Sequence, residues 1–236
     1  MRIFEKGFNY SQDGPGNRLV LHLSGCNLHC PWCSNPEGLF QSGTEYSVED
    51  IFAEIVSCKP MFFEGGGVTF TGGECTLQSE ELSILIDKLH DEKINVCIET
   101  NASTDGFLSV FEKVDYLIID YKCPDADILK NITGADLSAI EKNIFTAIGS
   151  KFLHIRIPFI DGFNTHLVDD FIVFFEKLQK NSSDFDVEIL PYHEYGKVKW
   201  EKLGQEYKYN NGKVTNQEIH DFEAQLREKN IKVRRS

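Results

Sequence analysis

The stretch "RLVLHLSGCNLHCPWCSNPEG", Arg18 to Gly38, joins an apolar run of strand character to a loop in which three cysteines fall within eight positions. Cys26, Cys30 and Cys33 have the spacing C-x3-C-x2-C, which lets three thiolates converge from one loop on a compact centre while Pro31 and Pro36 stiffen the chain around them. A closed zinc site would need a fourth ligand, for which His29 is at hand; an open zinc site needs three, and buried structural thiols need no metal at all. A cubane iron–sulfur cluster held by three thiolates leaves one iron open to a small molecule, and the spacing favours this reading.

Outward from the loop, strand-like runs alternate with helix-like segments. The strands are "RLVLHLSG" (18–25), "GVTFTGG" (67–73), "INVCIET" (94–100), "YLIIDYK" (116–122), "FLHIRIPFI" (152–160) and "VEILPYH" (187–193). The helices are "SVEDIFAEIVS" (47–57) with Ser47 as cap, 79–92, a short one near 105–113, 137–149, 166–180 and a last one near 216–229. Six β/α units predict an α/β chain built as a partial (β/α)6 TIM-like barrel, with its active site at the C-terminal ends of the strands. Almost every unusual polar residue falls just after a strand.

Composition narrows the field. With 236 residues, 41% of them apolar, the chain can bury one large core, so a single domain over 1–236 is expected. No apolar run reaches the ~18 residues of a membrane span, and Met1 to Gly7 lacks the apolar centre of a signal peptide, so the expected location is cytoplasmic, with no membrane partner. A net charge of −13 without a basic stripe argues against nucleic acid. Seven cysteines in a reducing compartment point to metal ligation or buried thiols instead of disulfides.

The cysteine spacing after a strand resembles the radical S-adenosylmethionine (SAM) superfamily. "DGPGNRLVLHLSGC" (13–26), "GGGVTFTGGE" (65–74), "LIIDYK" (117–122) and "ILPYHEYGKVKWEKLGQEY" (189–207) together resemble the glycyl-radical-enzyme activases, over nearly the whole chain. The resemblance implies one 4Fe–4S cluster on Cys26, Cys30 and Cys33, with SAM chelating the open iron. It further implies reductive cleavage of SAM to a 5′-deoxyadenosyl radical, and removal of a hydrogen atom from a backbone glycine of a partner glycyl radical enzyme. A flavodoxin or ferredoxin-type electron donor and a monomeric state are expected with it. Two features set this chain apart. Ser34-Asn35 after the third cysteine is the wording of activases that carry an inserted ferredoxin-like domain, yet Gly38 to Glu64 holds only Cys58 and no room for such an insert.

The same resemblance assigns the strand ends. Trp32, Ser34, Asn35, Gly72, Gly73, Glu74, Asp120, Lys122, Arg156 and His193 fall to the SAM side. Glu99, Thr100, Asp120 and the carbonyl of Ile118 fall to a monovalent cation, Na or K, for which oxygen ligands are suited. Asp13 and Gly14 face the partner's glycine loop. Each has a plainer alternative: a tight turn at the paired glycines, a surface ion pair at Asp120 and Lys122, a core or surface histidine at 193, a simple turn at "DGPG". Arg156, inside an apolar strand, demands a carboxylate or a ligand. Cys75 reads as a small wall residue, and Cys58, Cys97 and Cys123 have no assigned role. A radical SAM enzyme acting on a small molecule and a non-enzymatic metal-binding module stand as the other two readings.

Overall fold

The computed structural model describes residues 1–40 and 43–234. Its strands are β1 (Arg2–Tyr10), β2 (Asn17–Leu23), β3 (Thr44–Glu45), β4 (Gly67–Gly72), β5 (Asn95–Thr100), β6 (Tyr116–Asp120), β7 (Leu153–Phe159), β8 (Phe185–Pro191) and β9 (Val233–Arg234). In the first unit the strand order is β3-β1-β2-β4-β5, and in the second it includes β7-β8-β9. The helices are α1 (Glu37–Phe40), α2 (Val48–Ser57), α3 (Ser79–Asp91), α4 (Phe107–Val110), α5 (Ala126–Thr133), α6 (Leu137–Ala147), α7 (Val168–Gln179), α8 (Lys197–Lys202) and α9 (Asn216–Glu228). Among the described residues the six predicted strands, β2, β4, β5, β6, β7 and β8, are each followed by helix, and the two-residue β3 intervenes between α1 and α2.

Two compact units partition the chain. The first comprises Met1–Asn27, Asn35–Thr100 and Thr104–Ile118; the second comprises Leu28–Ser34, Asn101–Ser103 and the chain from Ile119 onward.

In the first unit β2, β4 and β5 pair in parallel, with Leu23 opposite Gly72 at one end and Arg18, Gly67 and Asn95 aligned at the other. Leu21, Leu23, Val68, Phe70, Val96 and Ile98 are buried, and α2 and α3 cover them with Ile51, Ile55, Leu82, Leu85, Ile86 and Leu89. Strands buried on both faces read as continuous apolar runs, which is why they are visible in the sequence. Helix α2 starts at the predicted cap, where the Ser47 hydroxyl accepts from Asp50 N at 3.1 Å.

The cysteine loop follows the second strand, not the first. Ahead of it, β1 runs antiparallel to β2 in a hairpin, and "DGPG" belongs to the hairpin's connection, closed by Ser11 N donating to Gly16 O at 3.0 Å. Arg18 anchors that connection although its side chain is fully buried. Its Nε donates to Thr69 Oγ1 (2.7 Å), Nη1 to Pro15 O (3.1 Å), and Nη2 to Val68 O (2.7 Å) and Asn95 O (3.2 Å). Burial lowers its pKa, and these neutral acceptors offset part of the desolvation cost of the charge.

In the second unit β7 pairs with β8 in parallel, and β8 with β9. Ile155, Ile157, Phe159, Val187 and Phe185 are buried. Phe159 and Phe171 both meet Phe222 of α9, with centroids 5.3 and 5.6 Å away, and Phe175 stacks on Phe185 at 5.9 Å. Tyr121 stacks on Phe174 at 4.1 Å and donates its hydroxyl to Glu141 at 2.9 Å, so this buried ring has its polar tip satisfied. Helix α9 opens with a capping box between Thr215 and Glu218.

Candidate active site

Within the first unit the end of β2 and the turn after β4 are fastened together. Gly73 N donates to Leu23 O at 2.9 Å and Glu74 N to Gly25 O at 2.8 Å, while Gly25 N donates to Gly38 O at 2.9 Å. The chain turns into Cys26 through Gly25 at φ +98°, a conformation glycine adopts without strain. The two glycines of "TGGE" have a reason the sequence does not show. A Cβ on Gly73 would overlap Gly25 O and crowd Cys26 Cβ, and one on Gly72, at φ +115°, would overlap the Leu23 backbone. They are glycines because the backbone leading to the cysteine loop lies against them.

Glu74 is 1% exposed. Its Oε1 accepts from Thr76 N (3.1 Å), Thr76 Oγ1 (2.5 Å) and Thr100 Oγ1 (2.6 Å). Glu99 accepts from Thr71 Oγ1 at 2.9 Å. The strand-end residues Gly72, Gly73, Glu74, Glu99 and Thr100 are therefore gathered at the C-terminal ends of β4 and β5, with Ile118 buried in β6. Asp13 and Gly14 are held lower on the strands. The Asp13 carbonyl accepts from Thr69 Oγ1 at 2.6 Å, its carboxylate accepts from Asn9 Nδ2, and Gly14 at φ +116° packs over Arg18 and Cys97.

The second unit holds Cys30 and Cys33 in one turn, with Cys33 N donating to Cys30 O at 3.1 Å. His29 contributes its backbone, donating to Thr133 O at 2.9 Å. Trp32 is buried, 4.4 Å from Phe163 and edge-on to Tyr209 at 5.2 Å between centroids. Trp200 Nε1 donates to Cys33 O at 2.8 Å, and Gly196 leaves room for the Cys33 carbonyl and the Ser34 backbone. These two residues were legible only as part of the "HEYGKVKW" resemblance, because nothing in their own types signals a brace for a cysteine loop. Replacing Trp200 with Phe removes that donor and should cost about 1 kcal/mol. The measurements are thermal unfolding and the rate of iron loss to a chelator; unchanged values of both would deny the bracing role.

Asp120 and Lys122 pair at 2.7 Å, the lysine nearly buried. The Lys122 carbonyl accepts from Asn164 Nδ2 at 2.8 Å, and the same amide group donates to Pro158 O at 2.7 Å. Asn164, fully buried, thus ties the ends of β6 and β7 and was not signalled by the sequence. Arg156 has the carboxylate its position demanded: its Nε donates to Glu188 Oε2 at 3.1 Å. His193 is exposed and stacks on Tyr195 at 4.2 Å.

The remaining thiols are of a different kind. Burial, and after it Glu74 and Glu99, push the Cys75 thiol well above its usual range, and it donates to Glu99 O at 3.4 Å. Burial pushes Cys123 up to about 11. Cys58 closes α2. Thiols as reluctant to ionise as Cys75 and Cys123 are poor metal ligands. The donor set of the loop fits an iron–sulfur cluster: three thiols, none in a disulfide. Among the described residues no three His, Cys, Asp or Glu side chains are grouped as ligands of one metal ion.

Comparison with known proteins bears on this geometry. The model of the radical SAM superfamily matches residues 20–175. The chain is 32% identical over 233 residues to a pyruvate formate-lyase-activating enzyme of Clostridium pasteurianum, covering 94% of this chain and 90% of the relative. It is 27% identical to a 4-hydroxyphenylacetate decarboxylase activating enzyme of Clostridioides difficile strain CD196, covering 89% and 88%. That second alignment runs over 282 residues, more than the 236 of this chain, so the relative carries residues with no counterpart here. A crystal structure of a domain of a pyruvate-formate lyase-activating enzyme from Bacteroides vulgatus ATCC 8482 superposes with a TM-score of 0.58 at 23% identity, covering 72% of this chain and 98% of that one. The fold class is accordingly the α/β partial barrel of the radical SAM type.

Proposed function

The chain belongs to the radical SAM superfamily, and from that premise we propose that it is an activating enzyme for a glycyl radical enzyme, a single radical SAM domain without a ferredoxin-like insert. The carrying observation is similarity to activating enzymes along 94% of the chain, at 32% identity. When bound, the cluster supplies the electron that cleaves SAM reductively, and the 5′-deoxyadenosyl radical so released takes a hydrogen atom from a backbone glycine of the partner.

Cys26, Cys30 and Cys33 hold the cluster. On this reading Gly72, Gly73 and Glu74, the Asp120–Lys122 pair, Arg156, Trp32, Ser34 and Asn35 are the residues assigned to SAM, with His193 assigned to its adenine ring. Glu99, Thr100, Asp120 and the Ile118 carbonyl offer oxygen to a monovalent cation. The cytoplasm, an electron donor of flavodoxin or ferredoxin type and a monomeric state complete the reading. No helix among the described residues is long and apolar enough to cross a membrane.

The partner's glycine loop meets Asp13 and Gly14. Because the bond from Thr69 goes to the Asp13 backbone, Asp13→Ala keeps that bond while removing the carboxylate and its bond from Asn9 Nδ2. The expected result is a loss of partner activation of about tenfold or more, as one charge-assisted contact is worth, with slow partner-free SAM cleavage retained. In the same assay, deuterium placed only on the partner glycine's α-carbon should appear in 5′-deoxyadenosine. Deuterium arriving from a free metabolite instead would establish the small-molecule alternative, and equal loss of both reactions in Asp13→Ala would move Asp13 into the fold or the SAM site.

A further inference from the structure

Arg156 and Glu188 stand directly opposite each other in the β7–β8 register, and His154 and Asp186 form the pair two residues earlier. The four side chains make one connected group. Glu188 is 4% exposed, and its Oε2 accepts both from Arg156 Nε at 3.1 Å and from His154 Nε2 at 2.9 Å. His154 is 3% exposed, and its Nδ1 lies against Asp186 Oδ1. Both ring nitrogens therefore face carboxylate oxygens. An ionised carboxylate only accepts, so each nitrogen must carry a proton. The histidine is an imidazolium, and charges alternate along the strands from Asp186 through His154 and Glu188 to Arg156.

The Nε bond taken by itself would let the carboxylate swing about its own torsions. A second donor on the same oxygen removes that freedom. We infer that His154 is a positioning residue: as an imidazolium it immobilises Glu188, which in turn fixes the guanidinium of Arg156 for SAM. The inference rests on the reading of Arg156 as a SAM-binding residue.

The groups facing the ring are Asp186 and Glu188 on β8 and Arg156 on its own strand; on the other side of Glu188, Arg234 of β9 stands opposite it in the register, and His220 and Glu223 of α9 line the same cavity. On the β6 side the Tyr121 amide donates to Arg156 O at 2.9 Å, and its hydroxyl is committed to Glu141. Burial alone would lower the His154 pKa, but the bonds to Asp186 and Glu188 raise it; burial alone would raise that of Glu188, but His154 and Arg156 bring it down to about 2. A raised histidine keeps its proton at neutral pH and loses it as pH climbs through the raised value, while Glu188 stays ionised down to about 2. The device thus fails on the alkaline side.

The test uses the full chain with 15N-labelled histidine. In the cluster-free protein, His154 should be protonated on both nitrogens at neutral pH, and Asp186→Asn should lower its midpoint by about one pH unit. In the cluster-loaded protein, KM for SAM should rise on the alkaline side with that same midpoint. It should shift with it in Asp186→Asn, while kcat for partner-free cleavage at saturating SAM stays level. A neutral single tautomer at neutral pH, or an alkaline rise in KM that does not follow the His154 midpoint, overturns the inference; the wild-type comparison alone decides this if the variant does not fold. An Arg156→Lys variant that binds SAM like the wild type, with the ring still doubly protonated, overturns the reading of Arg156 and leaves the clamp itself standing.

Discussion

Replacing Cys26, Cys30 or Cys33 singly with Ser should reduce iron from about four atoms per chain to near zero after anaerobic reconstitution, as expected for one cubane cluster on three thiolates. Cys58→Ser, Cys75→Ala, Cys97→Ala and Cys123→Ala should each retain full loading. For Cys75 and Cys123 the contrast follows from ionisation. A ligand must be a thiolate, and burial beside Glu74 and Glu99 holds Cys75 neutral while burial, with Asp125 and Asp170 nearby, carries Cys123 to about 11. Iron analysis with visible absorption reads the outcome directly. A count near twelve atoms, the load of three such clusters, or loss of the chromophore in Cys75→Ala would refute the three-cysteine site.

The second large effect is expected from one methyl group. Gly73→Ala places a Cβ on Gly25 O, a backbone atom that no side-chain rotation can move aside, so either the turn after β4 or the entry to the cysteine loop must shift. The cost should be on the order of 3 kcal/mol or more, at the upper end for single substitutions, accompanied by impaired cluster loading. Gly7→Ala is the control, since nothing lies within 4 Å of its added Cβ and its φ is not positive; it should stay within about 0.5 kcal/mol of the wild type. Denaturant unfolding of both variants makes the comparison, and a Gly73→Ala protein as stable and as iron-competent as Gly7→Ala would contradict the close approach.

The strands that were readable from sequence are those buried on both faces, such as "VLHL" and "GVTF". Strand β1 was not readable, because its residues alternate between exposed and half-buried positions with only Ile3 buried, and "RIFEKGFNY" has no apolar run to announce it. Read from sequence alone, the cysteine loop therefore follows a first strand, whereas in the fold it follows the second. The helix near 105–113 contracts to Phe107–Val110, and α5 was missed, its eight residues too few for a periodic signal. At the site, the cysteines were legible because ligand spacing is local. Arg156 could be seen to need a counter-charge, but its carboxylate lies 32 residues away and only the register of β7 on β8 selects it. The paired glycines announced a close approach without saying to what. That identity belongs to tertiary contact, as does the brace from Trp200 to Cys33, 167 residues apart.

The chain contains two tryptophans, and both report on one place. Trp32 is part of the cysteine loop, packed against Phe163 and Tyr209, and Trp200 is bonded to its third cysteine. The protein's indole fluorescence therefore comes wholly from the neighbourhood of the reactive loop, with no background from the outer helices. Any event that reshapes that loop, whether metal loading, oxidation of a thiol or arrival of a ligand, changes the only strong ultraviolet emitters the molecule has, so its own light serves as an optical gauge of the site without any label.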